Sequence, residues 1–328
     1  MVKQSGLALT ALSLPFPFSV FSKFNKMTDS KNFDVIIIGG SYSGLSAAMA
    51  LGRALRNVLI VDSGTPCNRQ TPHSHNFITQ DGEEPHVIAE KARHQVLQYP
   101  TVKLINALAE SGSKTENGFS ITTDASETFE AKKLVFATGL KDNMPNIKGF
   151  VACWGISVIH CPYCHGYEVK HEKTGIFANG DVAFHYAQLI NNWTKDLTIF
   201  TNGASTLTSE QTEKIARNNI QIIEKEIAEL DHKDGHLKQL LFKDGSRHEL
   251  KAIYHRAAFE QQCKIPQELG CELNEQGLFK VDMLQKTTVE GVFACGDSAS
   301  PMRSVAYAVA AGNIAGAALN NGLTEAEF

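Results

Sequence analysis

FDVIIIGGSYSGLSAAMALGRAL, residues 33–55, is the stretch on which the fold turns. Val35 to Ile38 is an unbroken run of branched and apolar side chains, which suits a strand buried on both faces. Gly39-Gly40 then permits a tight turn, and from about Ser43 the apolar residues recur at helical spacing. NVLIVDSG (57–64) follows as a second apolar strand ending at Asp62. Strand, helix and strand in this order make a βαβ unit, the opening of a parallel sheet. Such a turn gathers backbone N–H groups at a helix N-terminus with no side chains in the way, which is what a pyrophosphate requires. Gly39 serves the turn and Gly44 the close helix–strand contact, while Ser41 stands where G-x-G-x-x-G has its middle glycine. Asp62, at the end of the second strand, is placed to accept hydrogen bonds from a ribose.

Outward from this unit the pattern recurs. FSITTDASETFEAKKLVFAT (119–138) reads as hairpin strands. From Thr174, TGIFANG is strand and turn, DVAFHYAQLINNW a helix and DLTIFTNG a further strand. QLLFKDGSRHELKAIYH forms a hairpin about Asp244-Gly245, a dipeptide suited to positive φ. GVFACGDSAS is one more strand and glycine turn, and SVAYAVAAGNIAGAAL closes the chain as a small-residue helix. The expected fold is therefore α/β, with two Rossmann-like dinucleotide-binding domains, the second inserted into the first. The expected boundaries are 1–32 for an N-terminal extension, 33–148 and 258–320 for the halves of the first domain, and 149–257 for the insert.

Bulk properties narrow the classes. The chain has 328 residues, 43% of them hydrophobic, with a formal charge of -4. That is enough apolar mass for two cores, without the broad basic surface that nucleic acid requires. No apolar run of spanning length follows the N-terminal segment, so a membrane protein is not expected. Residues 1–26 read as an upstream start or a disordered tail, with a signal peptide cleaved near Val20-Phe21-Ser22 as the other reading. The seven cysteines are odd in number and contain one close pair. This is unlike a secreted disulfide framework, and the expected location is cytoplasmic.

The close pair lies in HCPYCHGYE (160–168). Three chemistries could use it. A Cys-x-x-Cys turn that opens a helix lowers the first thiol's pKa for disulfide exchange, and Pro162 fits the first helical position. Zinc could draw on His160, Cys161, Cys164 and His165, but one helical turn does not readily point four neighbours at a tetrahedral centre, and no second pair is present. A glutaredoxin site shares the CPYC string but belongs near the start of a small domain.

LVFATG (134–139), VFACGD (292–297) and the GGSYSG turn (39–44), with a CxxC in a middle domain, together resemble the FAD-dependent thioredoxin reductase family of low molecular weight. The resemblance runs from about residue 33 to 318. It implies that FAD is held by Gly39, Gly40, Ser41, Ser43 and Gly44, with Asp62 at the ribose. It adds Thr138 and Gly139 after one strand, and His75 and Asn76 on a loop. Gly296 and Asp297 would meet the ribityl and phosphate region, and Arg303, Ser304 and Val305 lead the helix whose N-terminus faces the flavin. Cys161 becomes the outer, interchange thiol and Cys164 the flavin-proximal one. His165 stands where the family has its acid/base aspartate, and an imidazole can shuttle the proton.

The same resemblance implies a nicotinamide nucleotide, NADPH or NADH, on the inserted domain. Gly180 and Ala183 match the family's G-x-G-x-x-A turn, but Ala178 replaces its first glycine. FTNGASTLTSEQ (200–211) lacks the arginines that grip a 2′-phosphate. Ferredoxin is an alternative electron source. So is outward flow from a small dithiol to oxygen, as in the dithiol oxidases whose CxxC-His-Gly pattern is close to CPYCHG. A non-catalytic redox sensor is the remaining reading. The expected partners are a thioredoxin-like protein or a small disulfide or dithiol, and a second copy in a homodimer. Family members bring nucleotide and CxxC to one flavin face by rotating the insert, with hinges expected here near 149–155 and 255–258.

Overall fold

A computed structural model describes residues 31–328; the readings of residues 1–26, and all but the end of the 1–32 extension, lie outside the described residues. The first half of the chain runs β1 (Asn32–Ile38), α1 (Tyr42–Arg53), β2 (Val58–Asp62), α2 (Pro85–Val96), β3 (Val102–Asn106), β4 (Ala109–Thr115), β5 (Gly118–Thr123), β6 (Thr128–Phe136) and β7 (Leu140–Asn143). The middle holds α3 (Phe150–Cys153), β8 (Val158–Ile159), α4 (Pro162–His165), β9 (Thr174–Phe177), α5 (Gly180–Ile190), β10 (Leu197–Phe200), α6 (Ser209–Arg217) and β11 (Gln221–Ile223). There follow β12 (Ile227–Lys233), β13 (His236–Phe242), β14 (Arg247–Glu249), β15 (Ala252–Tyr254), β16 (Ala258–Gln261), α7 (Ile265–Glu268), β17 (Val292–Ala294) and α8 (Val305–Glu327).

The apolar run that begins the argument is the centre of a seven-stranded sheet ordered β3-β2-β1-β6-β5-β4, with β17 beside β6. β1 pairs in parallel with β2 on one side and β6 on the other, and Val35, Ile36 and Ile37 are fully buried. β17 comes from the far end of the chain, yet its Val292–Ala294 pair in parallel with Leu134–Phe136 of β6. The intervening segment is thus an insertion. Its own sheet has five strands, β11-β10-β9-β15-β8, and all four pairings are parallel. The antiparallel pair β7–β16 stands where the chain leaves the first sheet and returns to it.

α1 and α8 lie together on one face of the first sheet. Gly312 of α8 sits so close to Ser43 that a Cβ there would strike the Ser43 carbonyl. Leu51 and Leu319 are 0% and 1% exposed in the resulting core. Each such leucine contributes about 1.5–3 kcal/mol by leaving water.

Three particulars extend the sequence reading. β1 begins at Asn32, α1 at Tyr42, and α8 continues to Glu327, past the expected limit of 320. The hairpin at Asp244-Gly245 gains a third strand, β12, so the antiparallel sheet is β12-β13-β14. Its extra turn is Asp234-Gly235, with φ of 52° and 80°, and the Asp-Gly signal for it stood in the sequence. Among the described residues no helix is long and apolar enough to cross a membrane.

Candidate active site

The first sheet reverses its strand order between β1 and β6, and a crevice opens outside the carboxyl ends of strands at such a point. The sequence-derived residues gather there. Gly39, Gly40, Ser41, Ser43 and Gly44 make the β1–α1 turn, Thr138 and Gly139 follow β6, and Gly296 and Asp297 follow β17. A Cβ on Gly44 would collide with the carbonyl oxygen of Gly39, so only glycine lets the helix start this close to the strand. Asp62 does more than wait for a ribose: its Oδ1 accepts from the Gly40 N–H at 3.0 Å, and its Oδ2 lies 3.3 Å from Arg93 Nη2.

Two observations test whether this crevice suits FAD. The α1 N-terminus has neither a side-chain cap nor an acid in its first turn, leaving its N–H groups for an anion. The Thr138 Oγ1 is buried without a hydrogen-bond partner, a group that a polar ligand would satisfy. The residues fit. Gly44→Val is therefore expected to push α1 off the strand and strip the flavin, giving a colourless, folded protein. Gly322→Ala, where a Cβ meets nothing within 4 Å, should stay as yellow as the parent. The ratio of visible to ultraviolet absorbance after gel filtration checks both.

The CxxC segment forms α4, with Cys161 as its N-cap and Pro162 at the first helical position. The two Sγ atoms are 2.6 Å apart, poised to join. The Cys164 thiol, despite the opposing cost of burial, brings Cys161 down to about 7, with the N–H groups of Cys164 and Tyr163 adding to the effect. Cys164 goes the other way, held protonated by its bond to Cys161 and by burial, with the charge of Asp297 adding to both. The pair is thus divided into a thiolate at 161 and a thiol at 164, both half-buried, with the thiol within reach of the charge of Asp297. Burial, reinforced by His75, lowers the His165 pKa, so the imidazole is a neutral base near pH 7.

His75 and Asn76 lie on the loop after β2, and the structure draws His75 toward the insert. Its Nε2 is 3.5 Å from Glu168 Oε1, its Nδ1 is 3.7 Å from Asp81, and its ring is 6.1 Å from that of His165. The Asn76 N–H donates to Asp81 Oδ1 at 2.7 Å. Arg303 precedes Ser304, the N-cap of α8, whose hydroxyl accepts from the Tyr307 N–H, and Val305 opens the helix. Gly180 and Ala183 lie apart from this group, in α5 of the insert.

Some members of the site carry no sequence signal. Asp142 of β7 takes both guanidinium ends of Arg303, at 2.6 and 2.9 Å, while Arg303 Nε reaches Asp297 Oδ2 at 3.3 Å. Cys67 sits beside Arg303; the protein packed around it, then the charge of Asp297, push its thiol up to about 11 although its surface is open to solvent. No metal-holding group of three or more His, Cys, Asp or Glu occurs among the described residues.

This arrangement, a flavin crevice facing a split dithiol, defines a class of flavin-dependent disulfide oxidoreductase, and the comparisons agree. Residues 33–312 match the pyridine nucleotide-disulphide oxidoreductase family, and the chain belongs to it. It is 31% identical to the protein named thioredoxin reductase tcpT of Claviceps purpurea, over 88% of this chain and 94% of that one. It is 30% identical to thioredoxin reductase sirT of Leptosphaeria maculans, over 88% and 93%. The crystal structure of an oxidoreductase from Agrobacterium tumefaciens superposes with a TM-score of 0.84 at 36% identity, covering 90% of this chain and 99% of that one. Family members of this kind use FAD and NAD(P)H.

Proposed function

We propose that the chain reduces a disulfide substrate, a thioredoxin-like protein or a small disulfide, through Cys161 and Cys164, with electrons from NAD(P)H by way of FAD. The observation that carries this reading is the Cys161–Cys164 pair at the start of α4, its Sγ atoms 2.6 Å apart, with Cys161 favoured as the thiolate. Bound FAD supplies reversible storage of an electron pair. The Cys161 thiolate attacks one substrate sulfur, forming a mixed disulfide and releasing the first substrate thiolate. Cys164 then gives its proton to His165 and attacks the Cys161 sulfur. The second substrate thiolate leaves, and the Cys161–Cys164 disulfide remains to be reduced again. We take Gly39 to Gly44, Thr138 and Asp297 as the FAD contacts, 33–148 and 258–320 as the FAD unit, and 149–257 as the insert, which the pairing of β17 with β6 supports. The working unit is taken as a cytoplasmic homodimer, by the habit of the family and the single close cysteine pair.

Anaerobic mixing of the holoprotein with NADPH, NADH or reduced ferredoxin, and aerobic mixing with a small dithiol, tests the reading. Bleaching by a nicotinamide nucleotide, followed by recovery with a disulfide, supports it. Oxygen uptake driven by a dithiol without nucleotide would replace it with the dithiol oxidase.

Two consequences follow from the protonation states. Alkylation of the reduced holoprotein by iodoacetamide should rise with pH around a midpoint near 7, the value to which Cys161 is lowered, and mass spectrometry should find the label there. His165→Ala should cost about 100-fold or more in turnover. Because burial lowers the His165 pKa, the parent should lose this assistance only as pH falls below the ordinary histidine value of about 6.5. The variant's profile should lack that acid limb.

A further inference from the structure

The Cys161 sulfur calls for more than one hydrogen-bond donor over a catalytic cycle. In the reduced pair the Cys164 S–H, with its Sγ 2.6 Å away, supports the Cys161 thiolate. That support is absent when the Cys161–Cys164 disulfide is opened for the next turnover. An electron pair, supplied by NAD(P)H in the proposed function, enters the S–S bond; the bond breaks and Cys161 departs as a thiolate. Cys164 has no proton to offer until His165 returns one. A sulfur leaves faster the more its thiolate is stabilised, so a donor other than Cys164 is called for at that moment.

The core of the insert holds one in reserve. Tyr254 ends β15 beside Ile159 of β8, two residues before Cys161. Its side chain is 0% exposed, and its hydroxyl is buried without a hydrogen-bond partner. α4 is a single turn between Cys161 as N-cap and Gly166 as C-cap. The phenol reaches that turn: a Cβ on Gly166 would stand 3.0 Å from the Tyr254 hydroxyl oxygen. The same Cβ would stand 3.2 Å from Trp193 Nε1, which is a donor only and offers the tyrosine proton no acceptor. Burial first, then the charge of Cys161, raise the Tyr254 pKa, so the O–H keeps its proton. A buried O–H with no bond is costly, and such groups persist where the chemistry uses them.

The other groups about the pair are engaged elsewhere. Tyr186 of α5, the second phenol that feels Cys161, donates to the His160 carbonyl at 3.3 Å. Burial lowers the pKa of His160 and of His165, so both are neutral near pH 7. The charge of Asp297 acts on Cys164, that of Glu168 on His165 and Tyr254, and that of Arg256 on Tyr186 and His160. Of the two phenols, Tyr254 is the free one.

We propose that Tyr254 serves the Cys161 sulfur: its hydroxyl donates to the thiolate that departs when the Cys161–Cys164 disulfide opens. The proposal rests on the reading of Cys161 and Cys164 as the pair that is reduced and then meets substrate. The tyrosine gives up no proton. It lends a hydrogen bond, while the proton that enters the pair passes from His165 to Cys164.

The test uses FAD-loaded Cys164→Ala, in which position 164 has no proton to give, as at the moment of bond opening. Adding Tyr254→Phe removes the second donor and leaves the ring. Near pH 7 the double variant should react with iodoacetamide at Cys161 about ten- to hundredfold more slowly than Cys164→Ala, the scale of one hydrogen bond to a charged sulfur. In strong alkali, where both sulfurs are thiolates, the rates should meet. Tyr186→Phe in the same background should leave the profile unchanged. Tyr254→Phe alone should match the parent in its urea midpoint or exceed it, because the lost hydroxyl had no partner. Incorporation of 3-fluorotyrosine at 254, a stronger donor of nearly the same size, should speed the reaction near pH 7, and it tests the proposal without the phenylalanine variant. An unchanged profile on adding Tyr254→Phe, a loss that is the same at every pH, or a urea midpoint well below the parent's overturns the proposal. Failure of the disulfide-reductase reading would show separately, as a parent flavin that no nicotinamide nucleotide bleaches while the alkylation profiles still differ as stated.

Discussion

Cys164→Ser should lower turnover at least about 1000-fold while leaving a thiol at 161 that still reacts, and Cys161→Ser should lower it as far for the opposite reason. The two variants fail at different bonds. Without Cys164 the outer thiolate can attack a substrate disulfide, but the mixed disulfide has no neighbour to resolve it and accumulates. Mass spectrometry should find one substrate half bound to Cys161. Cys164→Ala, which leaves no donor at 164, also removes the first stabiliser of that thiolate, so in that variant the alkylation midpoint should climb from about 7 toward the ordinary thiol range. Without Cys161, the remaining thiol is still half-buried and still feels the charge of Asp297. It should stay protonated at pH 7. Long-wavelength absorbance from a thiolate against flavin should therefore appear in Cys161→Ser only on the alkaline side. The size of the loss follows from removing a nucleophile that works as a unit with its neighbours. A Cys164→Ser protein that turned over at a tenth of the parent rate would remove the inner thiol from the mechanism.

What could be read in advance had local causes. The β1–α1 turn was legible because four apolar residues, paired glycines and a helical period are all consecutive, and Gly44 has one steric duty that no other side chain can perform. The CxxC helix was legible because Pro162 and the cysteine spacing set its first turn. Contacts that join distant segments were not. Asp142 lies in LKDN, which looks like ordinary polar strand, and its partner is 161 residues away. Cys67 stands beside Arg303, a neighbour from the far end of the chain. His75, expected at the flavin by resemblance, also lies against Glu168 and His165 of the insert, a contact its local sequence does not show. Nor was the order of the inserted sheet, which sets β15 beside β9 although Tyr254 and its partner Ile176 are 78 positions apart in the chain.

Arg303→Met is the second large effect, and it is thermodynamic. The guanidinium holds Asp142 in both directions and Asp297 in one, with Arg303 and Asp142 side chains only 11% and 8% exposed. Removing one member of a buried ionic cluster leaves uncompensated charge and costs about 3–5 kcal/mol. Here it leaves two carboxylates. Burial already raises the Asp297 pKa, Arg303 opposes that rise, and Asp142 adds to it; without the arginine the rise is unopposed. A carboxyl whose folded pKa is raised contributes stability below its ordinary pKa and loses it as pH climbs through the folded value. The deficit of Arg303→Met should therefore be small near pH 4 and largest near pH 7, measured as the urea midpoint of unfolding. Asp142→Asn placed in the same chain should recover part of it, because one of the two stranded charges is gone. Arg303 also sits immediately before the N-cap of α8, so flavin should dissociate from the single variant more readily at pH 7 than at pH 5. A loss within about 0.5 kcal/mol, the range of an ordinary surface change, would mean that water already reaches these carboxylates and that the cluster does not anchor the helix.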